Sequence, residues 1–195
     1  TSMPFAKNYP KFCTTFDPLL SSQSTTHQSS RKLTALDDYV LGVTIFLIRH
    51  AHAGKRSEWA SDDRSRPLSD RGIKQSQALT AVVGDIAVGR IVSSPYVRCQ
   101  QTLQPLAEAR GLVVEVDQRL AENTSRDIVA ELLHSVDEGT ILCSHGDVIP
   151  DVLGLFERHG MTLLSWCDSR KAATARLEKA AGDFTTADFW APPSA

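Results

Sequence analysis

The sequence predicts an α/β fold built on a largely parallel sheet. Two observations carry that prediction. Short apolar runs rich in β-branched residues alternate with segments of helical periodicity. Serine, proline and glycine stand where such segments start and stop. The chain has 195 residues, 42% apolar and 23% charged, ordinary values for a soluble globular protein. A chain of this length buries roughly 70% of its unfolded surface, so a core forms without disulfides or metal.

Taken in order, residues 1–40 stand apart. Pro4, Pro10 and Pro18 precede the polar tract Ser21 to Ser30, which buries too little apolar surface to offset its ordering entropy. The expectation is a flexible or loosely docked extension over 1–40 and one domain over 41–195. Phe5, Tyr9, Phe12 and Phe16 give the extension a means of docking. Its scarcity of arginine and lack of an apolar core argue against a targeting or secretory segment.

Val43 to Ile48 reads as a buried first strand. A polar loop with Pro67 leads to a helix over Asp70 to Gly84, and Arg90 to Ser93 is a second strand. Ser94-Pro95 predicts an N-cap and a proline at the first helical position of a helix to Arg110. Gly111 ends it, and Leu112 to Val116 alternates as a third strand. Thr124 with Asp127 resembles a capping box for a helix to His134. Thr140 to Ser144 is a fourth buried strand, followed by a helix over Asp147 to His159. Ala172 to Leu177 and Phe184 to Trp190 predict a closing hairpin turning at Gly182-Asp183.

Charge and composition exclude several functions. The formal net charge of -2 gives no global basic field for nucleic acid or an anionic membrane. No stretch approaches the ~20 apolar residues of a membrane span. Cys13, Cys99, Cys143 and Cys167 are scattered without metal-ligand spacing. Cys143 reads as a buried small hydrophobe, and reduced thiols fit a cytoplasmic setting.

In parallel α/β sheets, ligands bind outside the carboxyl ends of the strands. That rule singles out Arg49-His50, Ser93-Ser94 and Ser144-His145-Gly146. Charged residues directly after a buried strand need partners or a purpose. Arg98 lies one turn into the helix after Pro95, near a helix N-terminus that favours anions. Arg49, Arg98, His145 and the helix ends together suit three phosphoryl oxygens, because guanidinium forks match phosphate geometry. His50 is the nucleophile candidate, since neighbouring arginine charge keeps its imidazole unprotonated. A carboxyl group must protonate the leaving oxygen and later activate water. Glu122 is the first choice and Asp147 the second. Gly146 is expected to permit a tight turn after His145.

The chain resembles the histidine phosphatase superfamily, whose members carry an Arg-His-Gly or Arg-His-Ala signature after the first strand. Leu47-Ile48-Arg49-His50-Ala51-His52-Ala53-Gly54-Lys55-Arg56 is similar to the short, SixA-like branch. Arg66-Pro67-Leu68-Ser69-Asp70-Arg71-Gly72, Ser93 to Thr102 and Ser144 to Ile149 match that branch's later blocks, in order. The resemblance implies a three-layer α/β/α sandwich of the phosphoglycerate mutase type. It implies a phosphohistidine on His50 and a phosphoryl group held by Arg49, Arg98 and His145. Arg56 is similar to a basic residue of the SixA-like loop that touches substrate, while Ser94, Gly146 and Asp147 line the same place. No metal or other cofactor is expected, because Arg49, Arg56 and Arg98 would repel a cation from His50, His52 and His145.

Three functions are consistent with these residues. The first is a SixA-like phosphatase acting on phosphohistidine in a protein, since the chain is too short for large capping insertions. The second is a phosphatase or pyrophosphohydrolase for nucleotides or other small phosphorylated metabolites. The chain also resembles the phosphatase half of Nudix–phosphatase fusions, and Lys55-Arg56-Ser57-Glu58-Trp59 offers further cations and a stacking surface. The third is a non-catalytic phosphate-binding module.

Overall fold

The computed structural model describes residues 43–194. The extension expected over 1–40, with Cys13, lies outside the described residues. A seven-stranded sheet has the order β3-β2-β4-β1-β6-β7-β5. Its strands are β1 (Val43–Arg49), β2 (Arg90–Ser93), β3 (Val114–Val116), β4 (Thr140–Ser144), β5 (Thr162–Leu163), β6 (Thr174–Ala180) and β7 (Asp183–Trp190). Neighbours β3, β2, β4 and β1 are all parallel, β6 runs antiparallel to β1 and β7, and β5 is parallel to β7. Six strands thus share one direction, as the sequence predicts.

The helices are α1 (Asp70–Val83), α2 (Val97–Arg110), α3 (Arg126–Ser135) and α4 (Val148–Arg158). Strand alternation assigns them to two faces. In β1, Ile45 and Leu47 join a core with Leu132 and Leu133 of α3 and Val152 and Phe156 of α4. Phe46 and Ile48 point the other way, into a core with Leu79 of α1 and Leu103 and Leu106 of α2. The result is an α/β/α sandwich. Each fully buried leucine contributes about 1.5–3 kcal/mol, so β1 is held by both faces at once.

Four expectations need correction. Helix α2 starts at Val97 after a Tyr96 cap position, two residues later than Pro95, because Ser94 is engaged elsewhere. Helix α3 begins after Ser125 with no side-chain cap, so the Thr124–Asp127 box does not form. The closing hairpin is longer than its apolar pattern and turns at Ala181-Gly182, both at positive φ (52° and 94°). That is the two-residue geometry whose twist matches flanking strands. Gly146 does not take a positive φ, so backbone freedom is not its role. Strand β5 is too short, at two residues, to leave any period in the sequence.

Candidate active site

The parallel ladder continues one residue past the strands and sets three loops at one level. Ser94 N–H donates to the Cys143 carbonyl (3.0 Å), and His50 N–H donates to the Ser144 carbonyl (3.0 Å). On the far side of β1, Arg49 and Ala173 pair through the backbone (3.0 Å). His50, Ser94 and His145 therefore converge at the carboxyl edge, with β2, β4 and β1 adjacent.

His50 is 2% exposed. Its Nδ1 lies 2.8 Å from the Ala51 carbonyl, an atom that only accepts, so Nδ1 carries the proton. The lone pair is then on Nε2, which faces Nζ of Lys171 at 3.0 Å. Burial first, and the Lys171 charge second, push His50 down to about 2, with smaller help from His145 and Arg98. The imidazole is neutral across the working range.

Arg98 is fully buried and holds two carboxylates. Its Nη2 donates to Glu122 Oε1 (2.5 Å) and its Nη1 stands 3.1 Å from Asp63 Oδ2. Tyr96 covers the guanidinium at 4.4 Å, a cation–π contact. Burial alone would raise the Asp63 carboxyl. The Arg66 hydrogen bond and the charges of Arg98, Arg66 and Arg56 outweigh it and hold the group below its usual range. Arg56 is largely exposed and stands 3.6 Å from both Asp63 and Glu122.

His145 is caged. Its Nε2 lies 2.8 Å from Ser94 Oγ, and its Nδ1 lies 3.3 Å from Glu122 Oε1 and 3.4 Å from Arg98 Nη2. Its ring centre is 5.3 Å from that of His50. Ser94 thus orients His145 instead of capping α2. Arg49 donates to the Ser169 carbonyl, and burial lowers its pKa against the opposing pull of Asp147. Its guanidinium lies flat over Gly146, where a Cβ would come within 2.4–2.7 Å of it. Close approach explains that glycine. Asp147 is exposed, and its carboxylate accepts from the Asn123 N–H (2.8 Å), which ties down the loop that carries Glu122.

The remaining blocks serve the loop after His50. His52 N–H donates to Gln75 Oε1 (3.0 Å), and Ala51 N–H donates to Thr102 Oγ1 (2.9 Å). Arg66 donates to the Ala53 carbonyl (2.6 Å), and a Cβ at Gly72 would meet the His52 carbonyl oxygen at 1.9 Å. Two site neighbours escaped the sequence reading, Asp63 and Lys171. Asp63 was visible only as one acid in a charged loop. Lys171 precedes an antiparallel strand, whose start falls at the edge where β1 ends.

The model of the histidine phosphatase superfamily (branch 1) matches residues 45–126. That match takes in the Arg49-His50 and Arg98 blocks and covers a little under half of the chain. Among curated relatives is an 8-oxo-(d)GTP phosphatase of Mycolicibacterium smegmatis, 29% identical over 157 residues. That match covers 77% of this chain and 48% of the relative, so the chain spans about half the relative's length. Among solved structures, the protein histidine phosphatase SixA bound to tungstate superposes with a TM-score of 0.62 at 20% identity, covering 77% of this chain and 96% of that one. A mycobacterial glucosyl-3-phosphoglycerate phosphatase gives 0.56 at 18% identity, covering 79% of this chain and all of the other. These likenesses establish the shared fold. Among the described residues no group of three or more His, Cys, Asp or Glu is placed to hold a metal ion, and no helix is long and apolar enough to cross a membrane.

Proposed function

We propose that the protein is a phosphatase that works through a phosphohistidine on His50. The observation that carries this reading is the tautomer of His50. A buried, neutral imidazole offers Nε2 toward a cluster of cations, which is what an incoming phosphoryl group requires. In the first half-reaction the Nε2 lone pair attacks phosphorus and the bond to the leaving atom breaks. Glu122 gives that atom its proton. In the second half, Glu122 takes a proton from water, the oxygen attacks phosphorus, and the P–N bond breaks to release phosphate. Glu122 is favoured over Asp147 because its carboxylate touches Arg98 and His145, while that of Asp147 is spent on Asn123. Arg49, Arg98 and His145 hold the phosphoryl oxygens, with Arg56 at the rim. The chemistry is positioning and electrostatics, and it needs no metal.

For the substrate, the shared fold with the protein histidine phosphatase SixA supports a phosphohistidine on a protein. A second reading, a nucleotide, is supported by the 29% identity to the 8-oxo-(d)GTP phosphatase and by the basic trough beside Arg49. In a panel of phosphohistidine protein, nucleoside di- and triphosphates and sugar phosphates, the highest kcat/KM identifies the substrate class. Hydrolysis of an aryl phosphate should vanish in His50→Ala, along with an acid-labile phosphoenzyme. A wild-type protein that shows neither would refute the enzymatic reading.

A further inference from the structure

Charges around His50 do not balance among themselves. Arg98 is shared by Asp63 and Glu122, Arg66 is paired with Asp63, and Arg56 stands near both acids. Arg49 and Lys171 are left with no carboxylate in ion-pair distance among the described residues. The Nε of Arg49 is also buried without a hydrogen-bond partner. An unpaired buried donor is costly, and two unpaired cations match the roughly -2 charge of a phosphoryl group.

Lys171 is held there by its backbone. Ala172, buried and at φ 67°, turns the chain, and its N–H donates to the Arg49 carbonyl (3.0 Å). The next residue, Ala173, donates to the Arg170 carbonyl (3.1 Å). This turn aims the Lys171 ammonium at Nε2 of His50, the atom that must form the P–N bond. Ammonium and phosphorus cannot both occupy that position. A flexible four-carbon stem lets the ammonium withdraw to an oxygen on the same phosphorus.

We propose that Lys171 is a further substrate-binding residue, whose ammonium holds the His50 lone pair in the free protein and then binds a nonbridging phosphoryl oxygen during transfer. The proposal rests on the phosphohistidine reading above. Lys171 also lines a trough of about 700 Å³ with Arg49, His52, Arg71, Gln75 and Arg170, which continues the positive surface away from His50. Lys171 faces Arg49 at the end of β1, His50 just after it, Arg66 from the loop before α1, and Arg98 and Cys99 from α2. Burial first, and then the three arginine charges, bring Lys171 down to about 8.

The test compares wild type with Lys171→Met, Lys171→Gln and Lys171→Arg, using an aryl phosphate as substrate and inorganic phosphate as inhibitor. Removing one preorganised donor should cost about 100-fold in kcat/KM, with Arg restoring most of it. Phosphate inhibition should weaken in Met and Gln. The wild-type kcat/KM should fall on an alkaline limb near pH 8 that is absent in Met and Gln. Normal thermal midpoints in Gln or Arg exclude misfolding as the cause. If Met and Gln stay within twofold of wild type, with the same limb and the same phosphate inhibition, the proposal is overturned while the His50 reading stands. If wild type itself has neither turnover nor phosphoenzyme, both fall together.

Discussion

At the scale of single residues, position decides role more than residue type does. His50 and His145 stand 5.3 Å apart at one sheet edge, yet their nitrogens are committed differently. His50 spends Nδ1 on a carbonyl and leaves Nε2 to the cations, whereas His145 has Ser94 on one nitrogen and the Arg98–Glu122 pair near the other. Gly146 shows the same economy of space. A methyl group there would push into the Arg49 guanidinium. Gly146→Ala should therefore lower kcat/KM by about 100-fold, the cost of roughly 1 Å of misplacement in a positioned group. Steady-state kinetics checks it, and a normal thermal midpoint in the same variant places the loss in the site and not in the fold.

At the scale of elements, tight backbone ladders do the positioning and loops supply the side chains. Block by block, the chain segments after β1, before and within α1, and in α2 bond to one another through Gln75, Thr102, Arg66 and Ser69. The β6–β7 hairpin carries one strained local choice. Ala181 sits at φ 52° in a turn that calls for two left-handed residues, and only Gly182 suits it. An alanine there costs about 1–2 kcal/mol. Ala181→Asn should stabilise the protein by about 0.5–1 kcal/mol, since asparagine recovers part of that cost, read as a higher denaturant midpoint with an unchanged m-value. A lower midpoint would show that the Ala181 methyl packs usefully.

At the scale of the whole molecule, the buried neutral His50 couples the site to stability. Its ordinary value is 6.5, and in the fold it lies near 2. Above pH 6.5 both folded and unfolded chains hold it neutral, so it contributes nothing to the pH dependence. Below 6.5 the unfolded chain binds a proton that the folded one refuses, and stability falls as pH falls. The slope approaches about 1.4 kcal/mol per pH unit between those values. His50→Asn should flatten the acid limb of the unfolding midpoint, measured by thermal denaturation between pH 4 and 7. An unchanged limb would assign acid sensitivity to the carboxylates around Arg98 instead.

Sequence alone determined the alternation of strands and helices, the direction of the sheet and the strand ends that carry His50, Ser94 and His145. These follow from periodicity and from a topological rule, both of which act locally along the chain. The order of the motif blocks also resembles the histidine phosphatase superfamily, whose model matches residues 45–126. Only tertiary structure decided how Ser94, Gly146 and Asp147 are used, because each depends on a partner brought from another element. Arg49 reaches Gly146 across two strands, and Asp147 reaches Asn123 between two helices. Asp63 and Lys171 join the site from loops without a period, and Lys171 lies 121 positions from His50. No local pattern encodes a contact at that separation. Folding one antiparallel strand against β1 brings it to His50.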